Sequence, residues 1–201
     1  MSKLAIFDID GTLVNSSYDQ ERKLFKDRLG AETSSKIHMG SLLDLYEERH
    51  YRYEKHTLIK FMEEQLHCKI PADLIDEWIN IGQYDKTDYC DGVFELLDHL
   101  KAKDYDLGIC SNWFTECQVK RLKKFKLYDY FDIIRGGDYV LKPNPEAYKQ
   151  FLVNHRLEDC VMIGDNYDKD YLGPLSIGMK SIHIDHHDEN KSLRKVREIL
   201  R

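Results

Sequence analysis

The chain has 201 residues, enough for one full domain or one domain carrying a smaller insert, and cramped for two equal ones. Thirty lysines and arginines against 36 aspartates and glutamates leave a net charge of -6, which disfavours a nucleic-acid backbone as the main partner. No apolar run approaches roughly eighteen residues and no charged start leads into an apolar stretch, so the expectation is a soluble, unexported, cytoplasmic protein without a membrane partner.

The first element is KLAIFD at residues 3–8, an unbroken apolar run of the kind a parallel strand covered on both faces requires. Residues 17–88 change character: they are charged and aromatic, hold no comparable run, and read as an inserted helical unit. Within it, Ser17 and Gln20 have capping-box spacing, Leu24, Phe25 and Leu29 form a stripe, and Gly30 is a helix stop. Further helices are expected over 42–66 and 71–81. The segment EERHYRYEKH, 47–56, interleaves Arg49, Arg52 and Lys55 with Tyr51 and Tyr53; it reads first as a helix's solvated face, with a grip on a second anionic group or a ring as the functional alternative.

Beyond residue 90 the strand signal returns in YDLGICS, in CVMIGD, in MKSIHID and more weakly in FDIIRGG, with helical stretches between. That alternation implies βα units and a parallel sheet. GVFELLDHLKAK and FTECQVKRLKKF carry apolar residues at helical spacing, the second through Val119, Leu122 and Phe125. Asn144 followed by Pro145 reads as a cap and first helical position. The five cysteines show no CxxC pair, and their odd number fits no closed disulfide set, so they are expected to be reduced and structural.

Polar residues stand where these strands stop. Ligands of an open parallel sheet bind beyond the carboxyl ends of its strands, so Asp8, Ser111, Asp165 and the following Lys142 are expected to face one crevice. Carboxylates converge at low cost only around a divalent cation, and hard oxygen donors select Mg²⁺. With Mg²⁺ and Lys142 offsetting charge, a phosphoryl group can approach an aspartate nucleophile.

In this order, DIDGTL, ICSN, LKPNP and GDNYDKD match the four motifs of the haloacid dehalogenase (HAD) superfamily, and the chain resembles its phosphatase branch, subclass I, over 3–16 and 90–185. The resemblance implies an α/β fold with a Rossmann-like core at 1–16 and 89–201 and a helical cap at 17–88, hinged near 13–17 and 85–91. It implies a Mg²⁺-dependent phosphatase that hydrolyses a small phosphorylated metabolite through an aspartyl-phosphate. Asp8 would be the nucleophile and Asp10 the general acid and base. Asp8, the Asp10 carbonyl and Asp165 would bind the metal, with Asp170 in the outer shell or supporting Lys142. Ser111, Lys142 and the amides of Gly11 and Asn112 would hold the phosphate.

Asp10 speaks against dehalogenation, because the dehalogenating members resemble a pattern without it. A sugar-phosphate type phosphomutase uses the same aspartate and stays as the alternative, as does a non-catalytic binding module on this scaffold. Asp168 is a candidate third ligand with a solvated loop acid as its plain reading. His183, His186 and His187 lack helix-spaced ligand geometry and read as a surface loop. Composition leaves monomer and homodimer open.

Overall fold

The computed structural model describes residues 2–84, 86, 88–185 and 187–200. Five strands, β1 (Lys3–Phe7), β2 (Tyr105–Cys110), β3 (Ile133–Arg135), β4 (Cys160–Gly164) and β5 (Lys180–His183), form one sheet in the order β3-β2-β1-β4-β5. Every pairing is parallel.

The apolar runs of the sequence are explained by burial on both faces. From β1, Ala5 and Phe7 enter one core with Leu107, Ile109, Val161 and Ile163, while Leu4 and Ile6 enter the other with Cys110, Cys160 and Met162. Gly108 is small because Phe151 lies against it: a Cβ there would fall 3.0 Å from the ring.

Register brings the strand ends together. Phe7 is paired with Ile109 on one side and Ile163 on the other, and the Asp8 N–H donates to the Ile163 carbonyl at 3.0 Å. β1 lies between β2 and β4, with β2 and β3 laid down on one side of it and β4 and β5 on the other, so Asp8, Ser111 and Asp165 all emerge at the point where strand order reverses.

Four helices stand between β1 and the rest of the sheet: α1 (Asp19–Ser35), α2 (Met39–Arg49), α3 (Lys55–Leu66) and α4 (Ala72–Ile81). They have an apolar centre of their own around Phe25, Tyr46, Leu58, Met62 and Trp78, each at most 1% exposed. The two strands of chain joining them to the sheet run side by side, Asn15 N–H to the Asp88 carbonyl at 2.8 Å and Cys90 N–H to that of Leu13 at 3.0 Å. Asp85 and Thr87, at the second expected hinge, lie outside the described residues.

Three local expectations change here. Gly30, at φ +83°, kinks α1 and does not end it. The Ser17 hydroxyl reaches the Asp19 carboxylate at 3.0 Å, and Tyr18, whose side chain makes no cap bond, precedes the helix. The helix expected over 42–66 is two, because His50 to Glu54 runs extended: Tyr53 N–H donates to the Gly137 carbonyl at 2.8 Å and Leu141 N–H to that of Tyr51 at 2.9 Å. The break also lets the rings of Tyr46 and Tyr53 stack with centroids 4.7 Å apart. In an unbroken helix seven residues would separate them by about 10 Å.

The remaining helices are α5 (Val93–Ala102), α6 (Thr115–Lys124), α7 (Pro145–Lys149), α8 (Gly173–Ser176) and α9 (Leu193–Ile199). Asn144 caps α7 as expected, accepting from the Glu146 N–H at 3.0 Å. Among the described residues no helix is long and apolar enough to cross a membrane.

All five thiols are free. Burial pushes Cys90 and Cys110 up to about 12 and Cys117 and Cys160 up to about 11. At pH 8 their thiolate fraction is then on the order of 10⁻³ or less. Titration of the native protein with a chromogenic disulfide at that pH should show one fast thiol, the half-buried Cys68, and four more only after unfolding in urea; several fast thiols in the native protein would contradict this packing.

Candidate active site at the ends of the strands

Asp8 is the first residue past β1, where a side chain points out of the sheet into the crevice. The Lys142 ammonium reaches it at 2.7 Å and reaches Asp170 at the same distance, with the lysine side chain 2% exposed. Lys142 is held from behind by Asn112, whose side-chain oxygen accepts the Lys142 N–H at 2.7 Å and whose amide donates to the Lys142 carbonyl at 2.9 Å. The Lys142–Pro143 peptide bond is cis.

Asp170 comes from a π-helical turn, Tyr167–Leu172, begun by Asn166, whose side chain accepts the Lys169 N–H. Asp165 follows β4 and is tied to Thr12 in both directions, the hydroxyl donating to the carboxylate and accepting from the Asp165 N–H, each at 3.1 Å. Gly11 stands over that carboxylate: a Cβ would lie 2.4 Å from the Asp165 Oδ2.

Asp8, Asp165 and Asp170 each present an oxygen within 4.8 Å of the others. Lys142 is the ammonium among them, and negative charge remains in excess. Burial pushes the Asp8 carboxyl up to about 8; Lys142 opposes the shift, while Asp170, Asp10 and Asp165 reinforce it. Burial, then Asp170, also raises Asp165. Hard oxygen donors, a charge excess and a glycine-sized space over one carboxylate fit Mg²⁺.

The Asp10 side chain turns elsewhere. Arg121 from α6 grips it at both oxygens, 2.9 and 2.5 Å. Burial would raise this carboxyl, but the Arg121 charge and hydrogen bonds, with those of Ser16 and Gln118, bring it below its ordinary value. Gln118 links the two halves of the site: its carbonyl accepts from Arg121 at 2.9 Å and its amide donates to the Ser111 hydroxyl at 2.7 Å.

The helical insert supplies the wall of a cavity of about 360 Å³ over these groups, with Tyr18, Glu21, Asp44, Glu47 and Trp78 among its lining. Glu47 accepts from Asn112 at 2.7 Å and, with Asp44, holds Lys169 at 2.8 and 3.0 Å.

Several expected roles shift. The Gly11 N–H donates to the Val14 carbonyl at 2.9 Å, so in this conformation it is not aimed at a phosphate, and what the glycine provides is space. Asp168 is exposed and outside the carboxylate group. His183 donates through Nε2–H to the Asp165 carbonyl at 2.8 Å, and no histidine joins the carboxylates among the described residues; His186 lies outside them. Arg49, Arg52 and Lys55 do not line the cavity; Arg52 pairs with Glu54 and Lys55 with Asp76.

A family model described as haloacid dehalogenase-like hydrolase matches residues 5–184. The chain belongs to the haloacid dehalogenase-like hydrolase family. This HAD hydrolase is 29% identical over 174 residues to the pyrophosphatase PpaX of Listeria innocua, covering 81% of this chain and 74% of that one. It shares its fold with the HAD-hydrolase YfnB from Bacillus subtilis, whose crystal structure is bound to magnesium (TM-score 0.74, 18% identity, 99% and 98% of the two chains). A HAD phosphatase from Thermococcus onnurineus aligns with a TM-score of 0.67 at 22% identity over 98% and 97%.

Sequence reasoning missed Arg121, Gln118, Lys169 and Glu47. Helical spacing gave α6 an apolar face through Val119, Leu122 and Phe125, yet its buried side also carries Gln118 and Arg121. Those two stand at i and i+3 with Cys117 and Leu122 beside them, a polar pair within an apolar stripe, and that interruption was the available signal. In Arg121→Ala, kcat for p-nitrophenyl phosphate should fall about 10- to 100-fold with KM changed far less, and Arg121→Lys should recover part of it. Steady-state kinetics on variants with native circular dichroism check this; a KM effect alone would show that Arg121 serves binding and leaves Asp10 unaffected.

Proposed function

We propose that this HAD hydrolase is a Mg²⁺-dependent phosphatase of a small phosphorylated metabolite, acting through an aspartyl-phosphate on Asp8. The observation that carries the reading is the convergence of Asp8, Asp165 and Asp170 on one point with a buried ammonium between two of them. Asp8 and Asp165, with the Asp10 carbonyl, would hold Mg²⁺, and Asp170, whose oxygens take the Lys142 ammonium and the Asn166 N–H, would stand behind them and support Lys142. Bound there, the ion supplies charge neutralisation and Lewis-acid polarisation of the phosphoryl group.

Lys142 aims Asp8 and lowers the repulsion a phosphate meets. Ser111, its hydroxyl oriented by Gln118, and Asn112 hold phosphoryl oxygens beside it. Asp8 attacks phosphorus and the ester oxygen leaves with a proton from Asp10; Asp10 then takes a proton from the water that hydrolyses the aspartyl-phosphate. Arg121 favours the charged form of Asp10, the form that accepts a proton in the second step. Protonating the leaving oxygen requires that pair to open.

Residues 17–88 serve as a cap over a core of 1–16 and 89–201, excluding water until Asp8 is phosphorylated. The magnesium-bound YfnB structure is described as revealing interdomain movement, which supports such closure. A cytoplasmic setting suits the free thiols.

The test is hydrolysis of p-nitrophenyl phosphate followed by a screen of phosphorylated metabolites. Activity should vanish with a chelator and return with added Mg²⁺; full turnover in the chelated protein would reject the metal assignment.

A further inference from the structure

Glu47 sits against the local preference of its helix. It lies in the last turn of α2, where the negative end of the helix dipole opposes a carboxylate, and its side chain is only 9% exposed. A buried charge is kept where hydrogen-bond donors meet it, and three meet this one. Its Oε1 accepts from the Tyr53 hydroxyl at 3.0 Å, and its Oε2 accepts from the Asn112 amide at 2.7 Å and the Lys169 ammonium at 2.8 Å. The first donor belongs to the insert and the other two to the crevice at the strand ends.

The two crevice donors lead to the same place. The Asn112 amide donates to Glu47 and to the Lys142 carbonyl, while its oxygen accepts the Lys142 N–H. Glu47 therefore fixes which way the Asn112 side chain faces: turned over, its oxygen would meet the Glu47 carboxylate and its amide the Lys142 N–H. Lys169 precedes Asp170 in the π-helical turn, so holding its ammonium steadies the other partner of Lys142. On the insert side, the Tyr53 N–H is tied to the Gly137 carbonyl and its ring stacks on Tyr46. One carboxylate of the insert thus bears on both segments that carry the Lys142–Asp170 pair.

We propose that Glu47 is a positioning residue: it makes the aim of Lys142 at Asp8 conditional on the insert being seated over the crevice. The proposal rests on the phosphatase reading above and adds to it the contact through which the insert acts on turnover. When the insert lifts, Glu47 leaves Asn112 and Lys169 together. The Asn112 side chain is then free to turn, and the Lys142 ammonium loses the frame that holds it 2.7 Å from Asp8. Misplacing such a group by about 1 Å costs on the order of 10²-fold in rate. Asp8 is then reactive only under a seated insert, the state in which water is excluded.

The test compares Glu47→Gln with the parent, as the full chain with Mg²⁺, on p-nitrophenyl phosphate, phenyl phosphate and 2-hydroxyethyl phosphate. In the variant kcat should fall about 10- to 100-fold, by the same factor for each ester, with KM within about threefold of the parent. Tyr53→Phe, which leaves the bonds to Asn112 and Lys169 in place, should lose less. In an Asn112→Ala background the Glu47 substitution should cost far less than in the parent, because the main route to Lys142 is already cut. An unchanged kcat in Glu47→Gln with native circular dichroism overturns the proposal, whatever the melting temperature does. So does a loss that differs from ester to ester, which would make Glu47 a substrate contact, and so does full additivity with Asn112→Ala. Should Glu47→Gln not fold, Glu47→Asp, which keeps the charge but falls a methylene short of Asn112, carries the same expectations. If the parent hydrolyses these esters in an Asp8-dependent manner and the Glu47 variant matches it, the phosphatase reading stands and the positioning role falls. If the parent hydrolyses none, both fall.

Discussion

Asp8→Asn should abolish turnover of p-nitrophenyl phosphate, by a factor on the order of 10⁴ or more, while leaving the fold intact. The side chain is nearly isosteric, and Lys142 at 2.7 Å keeps an oxygen to donate to. What disappears is the anionic nucleophile. Stopped assays with Mg²⁺ measure the loss, and acid-quenched protein incubated with substrate should carry a phosphoryl adduct in the parent and none in the variant. Activity within tenfold of the parent would remove Asp8 from the chemistry. Because desolvation and neighbouring acids push the Asp8 carboxyl up, the substitution should also relieve charge crowding, and the melting temperature without metal should not fall.

Lys142→Met should produce the largest loss of stability. Its ammonium is the cation between Asp8 and Asp170, and the side chains of Lys142 and Asp170 are 2% and 1% exposed. Removing one member of a buried charge set leaves the others uncompensated, at a cost of about 3–5 kcal/mol. Urea unfolding in metal-free buffer measures it. The double variant Lys142→Met with Asp170→Asn should be more stable than Lys142→Met alone, since the orphaned charge is then gone, and the cycle isolates the pairwise part. A Lys142→Met protein within about 0.5 kcal/mol of the parent would show that the ammonium is not what balances these acids. Mg²⁺ should raise the stability of that variant more than that of the parent, as a second source of positive charge at the same carboxylates.

The sheet was legible from the sequence because a parallel strand buried on both faces admits little but apolar residues. Each of the five runs, even the weak FDIIRGG, is a strand, and their parallel pairing follows from the alternation with helices. The strand-end residues were legible for a related reason. Register carries whatever follows each run to one edge, so Asp8, Ser111 and Asp165 meet without any long-range inference.

The insert was less legible, since its conformation depends on partners distant in sequence. His50 to Glu54 leaves the helix to bond with 137–141, contacts about 85 residues away that no local pattern records. Basic residues there, read first as a solvated face with a grip on an anion as the alternative, stay off the cavity, Arg52 pairing with Glu54 and Lys55 with Asp76, and acids from α1 and α2 take its wall.

By itself, then, the sequence determined the parallel sheet, the crevice at its strand ends and the acids that follow β1 and β4. Those features arise from burial and from alternation along a strand, which are local. Only the tertiary structure decided that Asp10 rests on Arg121, that Asp170 joins Asp8 and Asp165, and that the insert's side of the cavity carries acids. Each depends on which side chains meet across more than a hundred residues or across two packed units, and charge pairing of that kind leaves no period in the chain.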